Sequence, residues 1–372
     1  MHYFDGIFSK NELNKGRQIE VDIAKAIILF YIAFVHIFIE CSTEQQLASG
    51  LGYFFDTVIG GPFGAPIFSF SMGCTVMFAR KHDAITVAKR GVGLFIGGLI
   101  FNIFRWTIPS IIGYLITGDY TRYIEPIMYK TFYNDILQFA GMALITIAAF
   151  MYFNIADKWL FITAAVASVL GTLLTGIDLK NPVLNIIAGY FIGTEDAECM
   201  VMSDFVYLNW LIVPVTGYLF GKALIHMKDK KRFYQFVSPI SLAICVVAFI
   251  VEYINKWGMF GFGEYCYYHI STIDVLLCIL LVFGLLGVYY FLSRHLSKGV
   301  IAFFEYLSLN LTNIYVIHWI LIGWIVNLGI YVIFGTLEIG NIYIIIVSAV
   351  ITVLSMVLAF RYTEFRRKRK HA

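Results

Sequence analysis

Ten stretches of this chain are apolar over the length of a membrane-crossing helix or close to it: residues 21–41, 53–78, 91–108, 136–153, 159–175, 205–225, 233–254, 273–292, 307–333 and 342–360. A helix rises about 1.5 Å per residue, so roughly 20 apolar residues cross a hydrocarbon core of about 30 Å. Short polar loops separate the stretches, and hydrophobic residues make up 60% of the chain against 14% charged. That balance, with a mean hydropathy of +0.79, excludes a sizeable soluble domain. The expected fold is therefore all-α: a polytopic membrane protein with about ten transmembrane helices in one integral domain spanning 1–372. Residues 182–192 are apolar but too few to cross, and read as a re-entrant or interfacial helix. If they did span, the count would be eleven and everything after them would invert. No small-residue cleavage site follows the first stretch, so it reads as an uncleaved helix rather than a signal peptide.

Charge fixes the expected orientation. With both termini cytoplasmic, 22 of the 27 Lys and Arg residues fall on the inner side. The five outside are Arg105, Arg122, Lys130, Lys180 and Lys256. Every strongly basic loop then obeys the positive-inside rule, including HMKDKKR (226–232) and the RRKRK tail. Inverting the second half would place both outside. The expected location is the plasma membrane, and the lipid bilayer is itself a partner. The tail is read as a topology anchor against anionic lipid, not as a nucleic-acid site.

Depth then sorts the polar residues. Lys25 and His36 are eleven positions apart in RQIEVDIAKAIILFYIAFVHIFIE (17–40). Eleven steps of about 100° close nearly three turns, so both side chains share one helix face, roughly 16 Å apart along the axis. An ionisable group at that depth is costly unless it meets protein or water, which makes His36 a site candidate. Asp22, Lys25, Lys89 and Arg90 fall at the inner ends of their spans. His36, Asp56, Arg105, Asp135, Gln138 and Asp204 fall at the outer ends. His318 follows the polar run Ser308, Asn310, Thr312, Asn313, which implies contact with a cavity or another helix. The GGPFGAP segment (60–66) predicts a broken helix below the outer surface, tolerated only where it is buried or lines a cavity. Together these spacings predict a polar cavity open to the outside and reached from a basic inner mouth.

Four segments resemble known membrane acyltransferases, in the order those proteins carry them. EVDIAKAIILFYIAFVH (20–36) is similar to the first helix of bacterial enzymes that acylate polysaccharide and lipopolysaccharide, whose pattern is Arg-x10-His; Lys25 stands at the arginine and His36 at the histidine. APIFSFSMGCTVMF (65–78) resembles the Phe-Pro-x-Phe-x-Phe-x-Met-Gly helix of the heparan-α-glucosaminide N-acetyltransferase family. DILQFAGMALI (135–145) resembles that family's Val-Leu-Gln-Arg-Ile-Ala turn, and LSLNLTNIYVIHWIL (307–321) the Ser-Leu-x-x-Tyr-x-x-His helix of bacterial relatives. The departures are specific. Lys25 keeps the charge of arginine without its bidentate fork; a double arginine is reduced to Lys89-Arg90; the loop 42–52 has no histidine.

The resemblance implies acyl transfer across the membrane, from cytoplasmic acyl-CoA (acetyl-CoA first) to an extracytoplasmic carbohydrate or glycolipid acceptor. On that reading Lys25, Lys89 and Arg90 neutralise CoA phosphates, with Asn310 and Asn313 as further donor-binding candidates. His36 is the expected general base, and His318 a second catalytic candidate. Asp135 would orient the base, and Arg105, Gln138 or Asn313 would donate to the oxyanion. Each role has a plain structural alternative. Lys89 and Arg90 also serve as topology charges, Asp135 as a helix cap, Arg105-Trp106 as an interfacial anchor, and His318 as an interhelical partner.

No nucleotide-loop, Gly-x-Ser-x-Gly, His-Glu-x-x-His or dinucleotide pattern is present, and the six cysteines show no CxxC, so neither metal nor redox chemistry is expected. A disulfide among Cys41, Cys199 and Cys266 stays open. The rival function is a secondary transporter, since ten spans, a broken helix and buried polar groups also describe carriers. Against it, GGPFGAP has no counterpart in the second half. The acidic residues Glu195, Asp196 and Glu198 favour neither. The sequence is also compatible with a homo-oligomer.

Overall fold

The computed structural model describes residues 6–48, 50–195, 203–257 and 267–371. Asp196, Glu198, Cys199 and Cys266 lie outside them. Among the described residues there is no strand, only isolated bridges. The main helices are α1 (Ile19–Cys41), α2 (Ala65–Thr75), α3 (Ala84–Asn102), α4 (Ile136–Tyr152), α5 (Asp157–Leu173), α6 (Pro182–Gly189), α7 (Ile212–Ile225), α8 (Lys230–Asn255), α9 (Thr272–Ser293), α10 (Lys298–Leu321) and α11 (Asn341–His371).

Among the described residues, seven helical stretches are long and apolar enough to cross a bilayer: Ile19–Cys41, Ala84–Thr117, Tyr207–Ile225, Lys230–Asn255, Thr272–Ser293, Lys298–Phe334 and Asn341–Arg369. The chain is an all-α, multi-pass membrane protein. The other three expected spans correspond to shorter helices. α4 and α5 have 17 residues each, about 26 Å. Residues 53–78 break where GGPFGAP lies, into a π-helix (Phe54–Gly60), a short turn (Gly61–Phe63) and α2. The 182–192 piece forms the eight-residue α6, capped by Asn181, whose side chain accepts from Val183 and Leu184 backbone N–H groups.

The chain falls into two compact units. The first gathers residues 1–21, 65–99 and 132–295. Here α2 and α7 meet backbone to backbone. A Cβ at Gly217 would lie 2.0 Å from the Phe70 carbonyl oxygen, and one at Gly73 would lie 1.9 Å from that of Pro214. Small residues of this kind let membrane helices approach where no hydrophobic drive separates them from lipid. Residues 7–9 lie along residues 226–229, with Lys228 N–H donating to Ile7 O and Ser9 N–H to His226 O. Beside them the fully buried Glu20 meets Lys230 at 2.8 Å and accepts from the Tyr234 hydroxyl at 3.2 Å.

His269 is a further buried ionisable residue in this unit, just before α9. Its side chain has 0% exposure, and Nδ1 lies 3.5 Å from Glu195 Oε1. Burial pushes the imidazole down to about 4; a carboxylate at that distance does not offset it. Because the folded state favours the neutral ring, its contribution is complete above the ordinary value near 6.5 and is lost as pH falls toward 4. Thermal unfolding in detergent from pH 7.5 to 4 should show about 3 kcal/mol less of this acid loss in His269→Gln than in the unaltered protein. Equal pH slopes would mean the ring titrates normally.

The second unit gathers residues 22–64, 100–131 and 296–372. α1 and α10 run side by side in it, tied at one end by Ser308, whose hydroxyl donates to Asp22 Oδ1 at 2.6 Å, and at the other by a stack of His36 on His318. α11 pairs with α10 through Thr363, which donates to Asn310 Oδ1 at 2.6 Å. Cys41, at the end of α1, is a buried free thiol, so it takes no part in a disulfide.

Candidate active site

Three π-helical segments occur in the second unit: Phe54–Gly60, Ile103–Thr107 and Ile322–Ile330. Proline accounts for two. A proline ring has no N–H to give and clashes with the carbonyl four residues earlier, so the preceding turn widens. Pro62 follows the first segment, and Pro109 acts on the carbonyl of Arg105 within the second. The displaced carbonyls are then used. The Trp324 indole N–H donates to Phe104 O at 3.0 Å, and Gly323 lies so close that an added Cβ would meet Arg105 O at 2.0 Å. The third segment has no proline; its glycine contact with the second is the only local cause visible.

This geometry presents Arg105 to the histidines. Arg105 is 2% exposed, and its guanidinium carbon lies 4.7 Å from the Phe101 ring, 4.9 Å from Trp319 and 5.4 Å from Trp106. Burial at this level replaces the interfacial-anchor reading of Arg105. The His36 ring stacks 5.4 Å from His318 and 4.3 Å from Trp319. His318 is fully buried, and its Nδ1 faces Ile314 O at 3.3 Å. With the proton assigned to Nδ1, the lone pair sits on Nε2, which has no hydrogen-bond partner; Trp319 Nε1 likewise has none. A buried cation held on aromatic faces can stabilise developing negative charge, and a neutral imidazole beside it can accept a proton.

The other predicted residues are placed as follows. Asp135 and Gln138 belong to the first unit and close a capping box on α4: Asp135 Oδ1 accepts from Ile136 N–H, and Gln138 Oε1 accepts from Asp135 N–H at 3.3 Å. Asn310 and Asn313 both bond Thr363, the latter donating at 3.4 Å, which is interhelical glue of the kind membrane helices use. Lys25 is half-buried on α1 in the second unit; Lys89 and Arg90 are exposed on α3 in the first. Arg90 lines a cavity of about 380 Å³ with Met72, Val76, Val87, Leu94 and Leu144. So the structure brings His36, His318 and Arg105 together, pairs Asp135 with Gln138, and pairs Asn310 with Asn313. Among the described residues no group of three His, Cys, Asp or Glu could hold a metal.

Sequence reasoning missed Trp319 and took Trp106 only as part of an interfacial anchor. The signals were present: Trp319 adjoins His318, and Trp106 adjoins Arg105.

The family model for heparan-alpha-glucosaminide N-acetyltransferase, catalytic, matches residues 17–253. The chain belongs to this family. It therefore carries an acetyltransferase catalytic domain, in which His36 and Arg105 fall within the matched residues and His318 beyond them. No curated protein and no solved structure shows significant similarity.

Gly323 gives a direct test of how Arg105 is presented. Gly323→Ala sets a methyl against backbone that cannot yield, so the two π segments must part. A displacement of about 1 Å can cost about 10²-fold in rate. Acetyl-transfer turnover should fall by that order; unaltered turnover would mean that the Arg105 backbone position is not tuned.

Proposed function

We propose that this protein transfers an acetyl group from cytoplasmic acetyl-CoA to a hydroxyl or amine of an extracytoplasmic sugar or glycan, with His36 as the general base. The observation that carries the reading is the packing of His36 against His318 and Trp319 beside the buried Arg105 guanidinium. The acceptor O–H or N–H attacks the thioester carbonyl carbon; the new C–O or C–N bond forms, and the C–S bond breaks. His36 takes the acceptor's proton and returns it to the departing sulfur, so CoA leaves as the thiol. Arg105 offers N–H donors to the carbonyl oxygen as it gains charge, in surroundings where such donors are worth most. His318 supports the base through ring contact. Lys25, and separately Lys89 and Arg90, are proposed as charge partners of CoA phosphates on the strength of their charge alone.

The test uses the purified protein in sealed vesicles, with labelled acetyl-CoA supplied to its cytoplasmic face and a panel of amino and neutral sugars at the other. Label should reach a sugar, with one CoA thiol released per acetyl transferred. Failure to bind acetyl-CoA, or label confined to the donor side, would sink the reading.

A further inference from the structure

A cavity of about 490 Å³ opens in the first unit, where α4 ends, α5 begins and the last turns of α7 pass beside them. A space of this size takes a small ligand or the polar end of an amphiphile. Its floor is buried and largely apolar, made by Ile147, Leu160 and the Tyr218 ring. Its mouth is polar and open, made by Asn154, Asp157 and Lys222. Asn154, at φ 51°, turns the chain from α4 toward α5. Lys222 Nζ donates to Asp157 Oδ2, and both side chains stay partly exposed. The same ammonium lies 5.7 Å from the Tyr218 ring. Each floor residue stands about one or two turns deeper along its helix than the mouth residue nearest it in sequence.

Depth decides what this cavity meets. Beside the mouth, Tyr152 and Trp159 are 63% and 53% exposed, and Lys158 Nζ lies 5.5 Å from the Trp159 ring. Exposed tyrosine and tryptophan next to charge mark the headgroup level of a membrane protein. The charge distribution assigns this loop, residues 154–158, to the inner side. An apolar floor toward the hydrocarbon and a charged mouth at headgroup level match the two ends of a phospholipid. The charges then select the headgroup. Opposite charges side by side complement a zwitterion, phosphate toward Lys222 and ammonium toward Asp157. A primary ammonium has three N–H donors, enough for the Asp157 carboxylate and the Asn154 amide oxygen together; a trimethylammonium has none. A phosphoglycerol headgroup brings only negative charge, which Asp157 repels. An exposed ion pair stabilises little by itself, so opening it around a headgroup costs little, whereas hydrogen bonds between ionised groups are the stronger kind.

We propose that this cavity is a binding site for phosphatidylethanolamine, with the phosphate on Lys222, the ammonium on Asp157 and Asn154, and the glycerol end against Ile147 and Leu160. The lipid joins the ends of α4, α5 and α7, and so stabilises the first unit at the membrane surface. The site stands or falls independently of the acetyl-transfer reading, because none of its residues has a part in that chemistry.

The experiment takes the full chain in phosphatidylcholine nanodiscs supplemented, in equal proportion, with phosphatidylethanolamine, its N-methyl and N,N-dimethyl derivatives, or phosphatidylglycerol. Lipid kept by the protein after mild release into detergent is counted by native mass spectrometry, and thermal unfolding is followed in parallel. Phosphatidylethanolamine should be retained about ten-fold over phosphatidylcholine and should raise the unfolding temperature, and each added N-methyl group should weaken both effects. Asp157→Asn should remove the preference for ethanolamine over choline, Lys222→Gln should lower retention of both lipids, and Lys222→Arg should keep the order. Because both side chains are partly exposed, all three variants should unfold near the unaltered protein in phosphatidylcholine alone. Equal retention of the ethanolamine and choline lipids, a methyl series without trend in the unaltered protein, or a preference that survives Asp157→Asn would overturn the proposal. So would phosphatidylglycerol displacing phosphatidylethanolamine, since Lys222 would then serve an anionic headgroup.

Discussion

His36→Ala is expected to lower acetyl transfer by about 10²–10⁴-fold, the range that a positioned general base contributes, while acetyl-CoA still binds. The ring packs against both Trp319 at 4.3 Å and His318 at 5.4 Å, so its loss leaves a gap on one side of α1. Folding should survive, and thermal unfolding in the presence and absence of acetyl-CoA checks that directly. His36→Gln separates packing from proton transfer, because the amide fills most of the space yet cannot act as a base at neutral pH. Both variants should therefore be inactive, with glutamine the more stable. If His36→Gln transferred acetyl at the normal rate, the base would be elsewhere, and the bare Nε2 of His318 is the first place to look.

What the sequence could and could not show divides along physical lines. Apolar run length is a one-dimensional property, and the membrane class followed from it. The shared face of Lys25 and His36 needed only helical periodicity, and the break at GGPFGAP needed only proline and glycine chemistry; α1 is continuous and the break lies where expected. The π segments are different. Pro109 was visible, but whether a proline kinks, ends or widens a helix depends on what receives the displaced carbonyls, here Gly323 and Trp324 from a distant part of the chain. The meeting of His36 with His318 is likewise tertiary, and no local rule carries it. Asp135 shows the opposite case. A carboxylate just before an apolar run with glutamine three positions later is a capping pattern in any helix, and the structure uses it as one. Membership of an acetyltransferase family weighs against the carrier reading.

The second large effect concerns stability rather than chemistry. Lys230→Met should destabilise the first unit by about 3–5 kcal/mol, the usual cost of stranding a buried charge. Glu20 has a side chain with 0% exposure, and Lys230 is 16% exposed at 2.8 Å. The same ammonium also donates to Gln18 Oε1, and the buried Tyr234 hydroxyl is the carboxylate's other partner. Methionine keeps the length and apolar stem of lysine, so little of the loss would come from packing. The companion variant Glu20→Leu with Lys230→Met removes both charges together, and it should recover most of the stability or exceed it, because the ion pair must itself overcome desolvation. Equal destabilisation of the single and double variants, read by thermal unfolding in detergent, would show that the pair acts through shape rather than charge. Recovery in the double variant would show the reverse: at the start of α1, the helix that goes on to carry His36, charge neutrality matters more than any particular contact.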